Sequence, residues 1–509
     1  MKRLYIIIIA MAGIVPAIAQ ETYENAKIAN QDLNGTARYV GMGGAMEALG
    51  ADISTISTNP AGIGLVRKSS ASLSFGAVVL QDASDFAGAN KTNISLDQIG
   101  FVYSSRTDIQ SFINFGFNYH KSKNFNYILS AADNLGNASQ NKLTYAKQKA
   151  GVLFPADKGG YPLFGKPYIQ CNQLDDIYAR NLNYYEPENT WYYDNADAYT
   201  LDRSHTGYIS EFDFNLSGNI DDRVYLGITM GVHDVHYKHY GEYFEKYYDN
   251  NNIRVTDDRE IKGTGYDIKA GLIFRPVEYS PLKIGFSVST PTWYELKTSN
   301  LTYVSDNAGA TANGETYKFR LYTPWKFGLS LGYTIDQFLA LGASYEFVDY
   351  GHLNTRELDG DDWDYDSSIS DEEMNRHTKQ SLNGVSTLKL GVEMKPDPSL
   401  AVRLGYNYVS PMYKDGAFKD GTLNSEGSYY SSATDFTNWE ATHRITSGIG
   451  YNIGSVNLSV AYQYSTQNGK FMPFMSYIDN DDPADDILPN EVKVSNKRHQ
   501  LLFTLGYTF

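Results

Sequence analysis

The chain of 509 residues has one cysteine, Cys171, so it cannot be stapled by an intramolecular disulfide framework. Beyond the first residues it has no apolar run approaching the roughly 20 residues that a membrane-spanning helix needs. Cations are outnumbered, 43 Lys and Arg against 59 Asp and Glu, and a net charge of −16 excludes nucleic acid as a partner. There is no nucleophile elbow with an ordered Ser-His-Asp set, no phosphate loop and no HExxH, so no enzyme and no cofactor is expected. Proline is sparse, at 16 residues. That suits long strands, whose ladders proline would break.

What is plentiful is 42 Tyr, 24 Phe and 44 Gly, a bias toward strands, aromatic girdles and tight turns. Segments alternating apolar and polar residues recur, the pattern of strands that face lipid on one side and water on the other. They fall at 70–80, 98–106, 111–128, 206–218, 223–240, 263–275, 281–290, 316–334, 337–350, 385–395, 400–410, 441–451, 455–466 and 497–509. The even count, fourteen, predicts an all-β, closed antiparallel transmembrane barrel. Short connections alternate with long ones, so the tight turns at 107–110, 219–222, 276–280, 335–336, 396–399 and 452–454 belong on the periplasmic side. The long, acidic, Tyr-rich loops then face outward. Ahead of the strands, Lys2 and Arg3, an apolar core over 4–14 and Ala17-Ile18-Ala19 before Gln20 predict a signal peptide over 1–19.

Alternation also assigns faces. In the last strand Leu501, Phe503, Leu505, Tyr507 and Phe509 share the lipid side. Phe509 is similar to the terminal aromatic signal read by the barrel assembly machinery. The same rule turns Glu211, Asp213, Asp267, Lys269, Lys283, Arg320, Lys326, Glu346, Lys389, Glu393, Arg403 and Arg444 into the lumen, where they line a wet interior and form ion pairs.

Between leader and first strand stand Gly41-Met42-Gly43-Gly44-Ala45, then Ala48 and Asp52, then Asn59-Pro60-Ala61. Glycine and Asn-Pro permit tight turns in a confined space. In order and position these residues resemble the N-terminal plug of the FadL family, outer-membrane barrels that carry long-chain fatty acids and other hydrophobic molecules. The resemblance implies a plug over 20–68 inside a barrel over 69–509, acting as a monomer among outer-membrane lipid, with passive uptake of a hydrophobic small molecule and lateral exit through the wall. The exit implied lies at a kinked third strand, here 111–128, with Gly116 and the polar run 120–124 as the place of interruption, an interruption that equally fits the strand emerging above the membrane. A fatty-acid carboxylate needs a cation, and Arg offers the better fork, which nominates Arg320, Arg403 and Arg444.

Other constellations carry less. His233, His236 and His239 suggest a metal, but residues three apart in a strand face opposite sides, and His233 and His239 are about 20 Å apart at about 3.3 Å per residue, so no metal site is expected there. The acidic runs 361–366 and 479–482 lack the glycine-broken spacing of a calcium loop and read as solvated loop tips. Two other classes fit the long loops: a receptor for haem or another ligand, for which the plug segment is short, and a surface adhesin or structural barrel.

Overall fold

The computed structural model describes residues 21–136, 138–149, 183–185, 190–248, 252–277, 280–307, 309–358, 367–420, 433–479 and 482–509. The signal-peptide expectation, Cys171 and the acidic run 361–366 lie outside these residues.

Fourteen staves form one closed antiparallel sheet. They are β1 (Ser70–Leu80), β2 (Thr92–Arg106), β3 (Phe112–Asn124, continued by Tyr127–Asn134), β4 (Ala196–Ile220), β5 (Val224–Tyr247), β6 (Ile253–Phe274) and β7 (Lys283–Ser289, continued by Trp293–Ser305). Then come β8 (Ala310–Tyr322 and Lys326–Ile335), β9 (Leu339–Asp349 and Asn354–Leu358), β10 (Gly384–Asp397), β11 (Leu400–Val409), β12 (Phe436–Ile453), β13 (Val456–Met472) and β14 (Val492–Thr508). Pairing of β14 with β1, from Ser70↔Thr508 to Leu80↔Arg498, closes the ring and leaves no edge. Phe509 sits just past this seam, where its N–H donates to the Ser69 carbonyl at 2.9 Å.

The outward residues change character along each stave. On β5 they run Leu226, Ile228 and Met230, all about half exposed, and then Asp234, His236 and Lys238. Leu216 and Phe214 on β4 and Phe327, Leu329 and Leu331 on β8 continue the apolar belt. Exposed apolar side chains at this density require lipid around them, so the barrel is of the outer-membrane type, with β4 to β6 rising well above the bilayer.

Two sequence expectations change here. The stretch 316–334 is not one regular strand but is interrupted at residues 323–325, beside a matching interruption of β7 at residues 290–292. Below these breaks Ser289 and Ser330 face in; above them Tyr294, Leu296, Phe319 and Leu321 do. The interruption shifts the two-residue alternation by one, so Arg320 points away from the lumen, its guanidinium 3.5 Å from the outward Glu295. Arg320 is therefore corrected as a lumen residue. Likewise β4, β5 and β6 begin or end several residues beyond the read segments, because above the bilayer both faces turn polar and the alternation signal fades.

Residues 21–66 run down the inside of the barrel. Helix α1 (Glu21–Ala29) lies toward the loop end, where the Thr22 hydroxyl is 2.8 Å from His377 Nδ1 of the loop helix α4 (Glu372–Ser381) and Tyr23 stacks on Tyr413 at 4.9 Å. Among the described residues there are two further helices, α2 (Ala37–Gly41) on the inner segment and α3 (Gln140–Lys149) in a loop. Lower down, the segment touches the wall at glycines that face inward, at most of them backbone to backbone. Met42 meets Gly391, Gly43 meets Gly405, Ala45 meets Gly342, Ala48 meets Gly332, Asn59 meets Gly285 and Gly271, and Pro60 meets Gly227. Ile53 and Ile56 complete the circuit against Gly100 and Gly116. A Cβ at Gly405 would stand 2.2 Å from the Gly43 nitrogen and one at Gly391 2.3 Å from the Met42 carbonyl oxygen, closer than atoms tolerate. Gly43 and Gly44 themselves have φ of 63° and 81°, which glycine adopts without strain.

Gly391→Val is therefore expected to displace the inner segment at a cost of about 1–3 kcal/mol while the wall still closes. Limited proteolysis should cut within residues 30–66 of the variant faster than in the parent. Gly506→Ala, whose added Cβ would meet nothing nearer than 3.4 Å, should leave cleavage unchanged.

Candidate functional site

Besides the breaks in β7 and β8, the wall is irregular around β2 and β3. Opposite β1, the register of β2 slips at Ser74/Phe75, which leaves Asp97 as a bulged residue whose carboxyl is buried. The β2–β3 ladder runs from Arg106↔Phe112 only as far as Gln98↔His120. Beyond that point β3 shifts register against β4 between Lys121 and Lys123 and breaks at residues 125–126, while residues 92–96 pair with β1 alone. Gly116 is paired on both sides, to Val102 and to Asn215. The interruption thus lies in the polar run 120–124 and just after it, and Gly116 is explained by the approach of Ile56, whose Cδ1 would stand 3.1 Å from an added Cβ.

Backbone groups released from a ladder and shut off from water need partners. The inner segment supplies them. The Asp32 N–H donates to the Ser122 carbonyl at 2.8 Å, and the Asp32 carboxylate accepts the Asn124 N–H at 3.0 Å. The Asn34 amide donates to the Lys121 carbonyl at 3.1 Å and to the Asp97 carboxylate at 3.0 Å. Residues 32–34 thus take the place that β2 vacates.

Two cavities abut this stretch from inside. The upper, about 140 Å³, lies below α1 and is lined by Tyr23, Phe125, Tyr127, Tyr237, Phe436 and Trp439, with Lys27, Lys123 and Arg498 at its margin. The lower, about 90 Å³, is polar and is lined by Asp32, Asn34, His120, Ser122, Glu211 and Arg444 among others. Asn30 borders both.

The cation candidates separate accordingly. Arg444 lines the lower cavity, donates to the Asn407 side chain at 2.8 Å and lies 3.6 Å from Asp32. Arg403 is engaged instead by Glu393 at 2.6 Å, and Arg38 of the inner segment grips the same carboxylate through two 3.0 Å bonds. Neither Arg403 nor Arg320 lines either cavity. At the other motif, Asn59 caps the short 3₁₀ turn Pro60–Leu65, its Oδ1 accepting the Ala61 N–H at 3.2 Å, with Pro60 at the first position, where its missing N–H costs nothing. Asp32, Asn34 and Asp97 were not singled out in the sequence. Their only signal is a polar cluster at a strand bulge, which single-chain patterning does not resolve.

The sequence matches no protein-family model and no curated protein. Among solved structures, the toluene transporter TbuX of Ralstonia pickettii is similar at 12% identity with a TM-score of 0.50, and a FadL homologue of Pseudomonas aeruginosa at 12% identity with a TM-score of 0.52. Each likeness covers 94% of this chain and 99% of the other. The fold is FadL-type.

Burial alone would raise the Asp32 carboxyl, but Lys123, Arg498 and Arg444 outweigh it and bring it down to about 2. A carboxyl lowered on folding stabilises above its ordinary pKa near 4 and loses that contribution as pH falls toward 2, here about 2 kcal/mol. Acid titration of the parent should therefore release the inner segment, read as protease sensitivity of residues 21–66, between about pH 4 and 2. Asp32→Asn should show that sensitivity already at pH 7 and little further change on acidification.

Proposed function

We propose that this protein belongs with the FadL family in function, as an outer-membrane channel for passive uptake of a hydrophobic small molecule, a long-chain fatty acid or an aromatic hydrocarbon. Residues 20–68 act as the plug. A ligand collected by the outer loops settles in the upper cavity, its apolar body against Tyr23, Phe125 and Trp439, and any anionic head meets Lys123, Arg498 or, deeper, Arg444. It leaves sideways between β2 and β3.

The observation that carries this reading is the vacated stretch of the β2–β3 ladder, bridged by residues 32–34 and bordered from inside by both cavities. A partner that is a side chain and a short loop is easier to displace than a strand, because fewer cooperative bonds have to break at once. The straight route toward the turn end is filled by the segment seated on the glycines, with Arg38, Glu393 and Arg403 locked together in its way. The resemblance of fold to a toluene transporter and a FadL homologue supports the same substrate class. Neither step needs an energy source beyond the ligand's own gradient.

Cells or vesicles carrying the protein should take up labelled palmitate or toluene faster than protein-free controls. Ser122→Trp, which fills the lower cavity beside the wall break, should lower that rate at least tenfold while the barrel still inserts and remains heat-modifiable on a gel. Uptake by the parent no faster than by the controls for either compound would remove the transport reading. Unchanged uptake by Ser122→Trp would remove the lateral route and leave another exit.

A further inference from the structure

Across β3, β4 and β5, pairing aligns His120, Glu211 and His233 in a single inward row, and one row below Asn118, Asp213, Gly231 and Asp267 align across β3 to β6. These rows bring together two imidazoles and three carboxylates that lie far apart in the chain, all of them buried. One ammonium, Lys269, faces the three carboxylates, 2.5 Å from Glu211 Oε1, 2.8 Å from Asp267 Oδ1 and 3.2 Å from Asp213 Oδ1. With neutral imidazoles the group carries two uncompensated negative charges, a costly state for buried carboxylates.

The remaining ligand atoms point away from the lysine. Glu211 Oε2, Asp213 Oδ2 and His233 Nδ1 are buried without a hydrogen bond. Glu211 Oε2 stands 3.6 Å from His120 Nε2 and 3.7 Å from His233 Nδ1, and Asp213 Oδ2 stands 3.4 Å from His120 Nδ1. Such spacings are long for hydrogen bonds, and the 3.6 Å between Glu211 Oε2 and His120 Nε2 matches the edge between two ligands of one ion bound at about 2.0–2.2 Å, whereas Asp213 Oδ2 faces the other ring nitrogen of His120. One ligand atom each from His120, Glu211 and Asp213 falls within 4.8 Å of the others. His233 holds Asp267 Oδ2 through Nε2 at 3.0 Å, and Asp267 also accepts from Thr292 Oγ1 at 3.1 Å, which fixes the His233 ring with its Nδ1 toward Glu211 Oε2. His120 and Glu211 line the lower cavity, which provides an entry path.

We infer that His120, Glu211 and Asp213 bind one first-row divalent cation, of which zinc is the natural probe, with His233 and Asp267 as the positioning pair behind Glu211. Mixed imidazole and carboxylate donors suit Zn²⁺, Mn²⁺ or Fe²⁺ better than Ca²⁺, which favours oxygen alone. The ion would tie β3 to β4 immediately below the place where β3 parts from β2. This inference is independent of the transported ligand.

The test uses the full mature protein, folded in detergent, treated with chelator, loaded with Zn²⁺ and dialysed. The parent should keep about one equivalent of zinc. His120→Gln and Glu211→Gln should lose it, Asp267→Asn should weaken it roughly 10–100-fold, and His443→Gln, on the outer surface, should match the parent. Zinc-edge absorption of the loaded parent should show imidazole scattering alongside oxygen donors, which reads the site even if a variant fails to insert. A parent that retains no zinc, a spectrum without imidazole, or full retention by an inserted His120→Gln variant would overturn the inference.

Discussion

The close seating of the inner segment on the wall is the contact on which the rest of this molecule depends. A barrel interior is normally lined by side chains, and a second chain laid inside would be held off by them. Here the inward positions on β2, β3 and on every strand from β5 to β12 include a glycine at the level of residues 41–61, so backbone meets backbone on β5, β6 and β8 to β12, and side chains of the segment reach the wall on β2, β3 and β7. The segment returns the favour with its own glycines, Gly41 against Gly448 and Gly43 against β11. This packing explains why glycine is so common in a chain that otherwise favours bulky strand formers.

Seating the segment low leaves its upstream part, residues 30–34, at the height of the irregular stretch of β3. That position lets Asp32 and Asn34 satisfy the backbone groups that a broken ladder exposes. A gap in a barrel wall would otherwise be costly in lipid. The same residues that make the gap tolerable also border the cavities, so occupancy of the lumen and closure of the wall share one set of contacts. In this sense the fold and the proposed route are a single piece of physics.

Most of the barrel was legible from alternation, because one wet face and one lipid face impose a period of two on each stave. What escaped was set by register across strands. Reading Leu321 and Phe327 as one strand places Arg320 in the lumen, but Pro324, like Pro291 in the matching break, cannot donate to a ladder, and the period slips there without any change in the apolar pattern. The histidines of β5 were weighed against each other along the strand, whereas His233 finds its partners on β4 and β6 through pairing that a single strand does not encode. Gly116 is expected at the wall opening, whereas its surroundings show a seat for Ile56 and pairing on both sides. The glycine-rich and Asn-Pro motifs of the inner segment were legible because tight backbone geometry restricts residue choice more sharply than burial does.

The account turns on where a ligand travels inside the barrel. Photo-crosslinking in intact cells with a long-chain fatty acid bearing a diazirine, followed by peptide mapping, follows that path directly. Labels on Phe125, Tyr127 and Trp439 and then on residues 92–98 and 119–124 are predicted. Labels concentrated on Arg38, Thr58 and the turns at the opposite end, with none on β2 or β3, would show that the ligand passes straight through the inner segment and would contradict it.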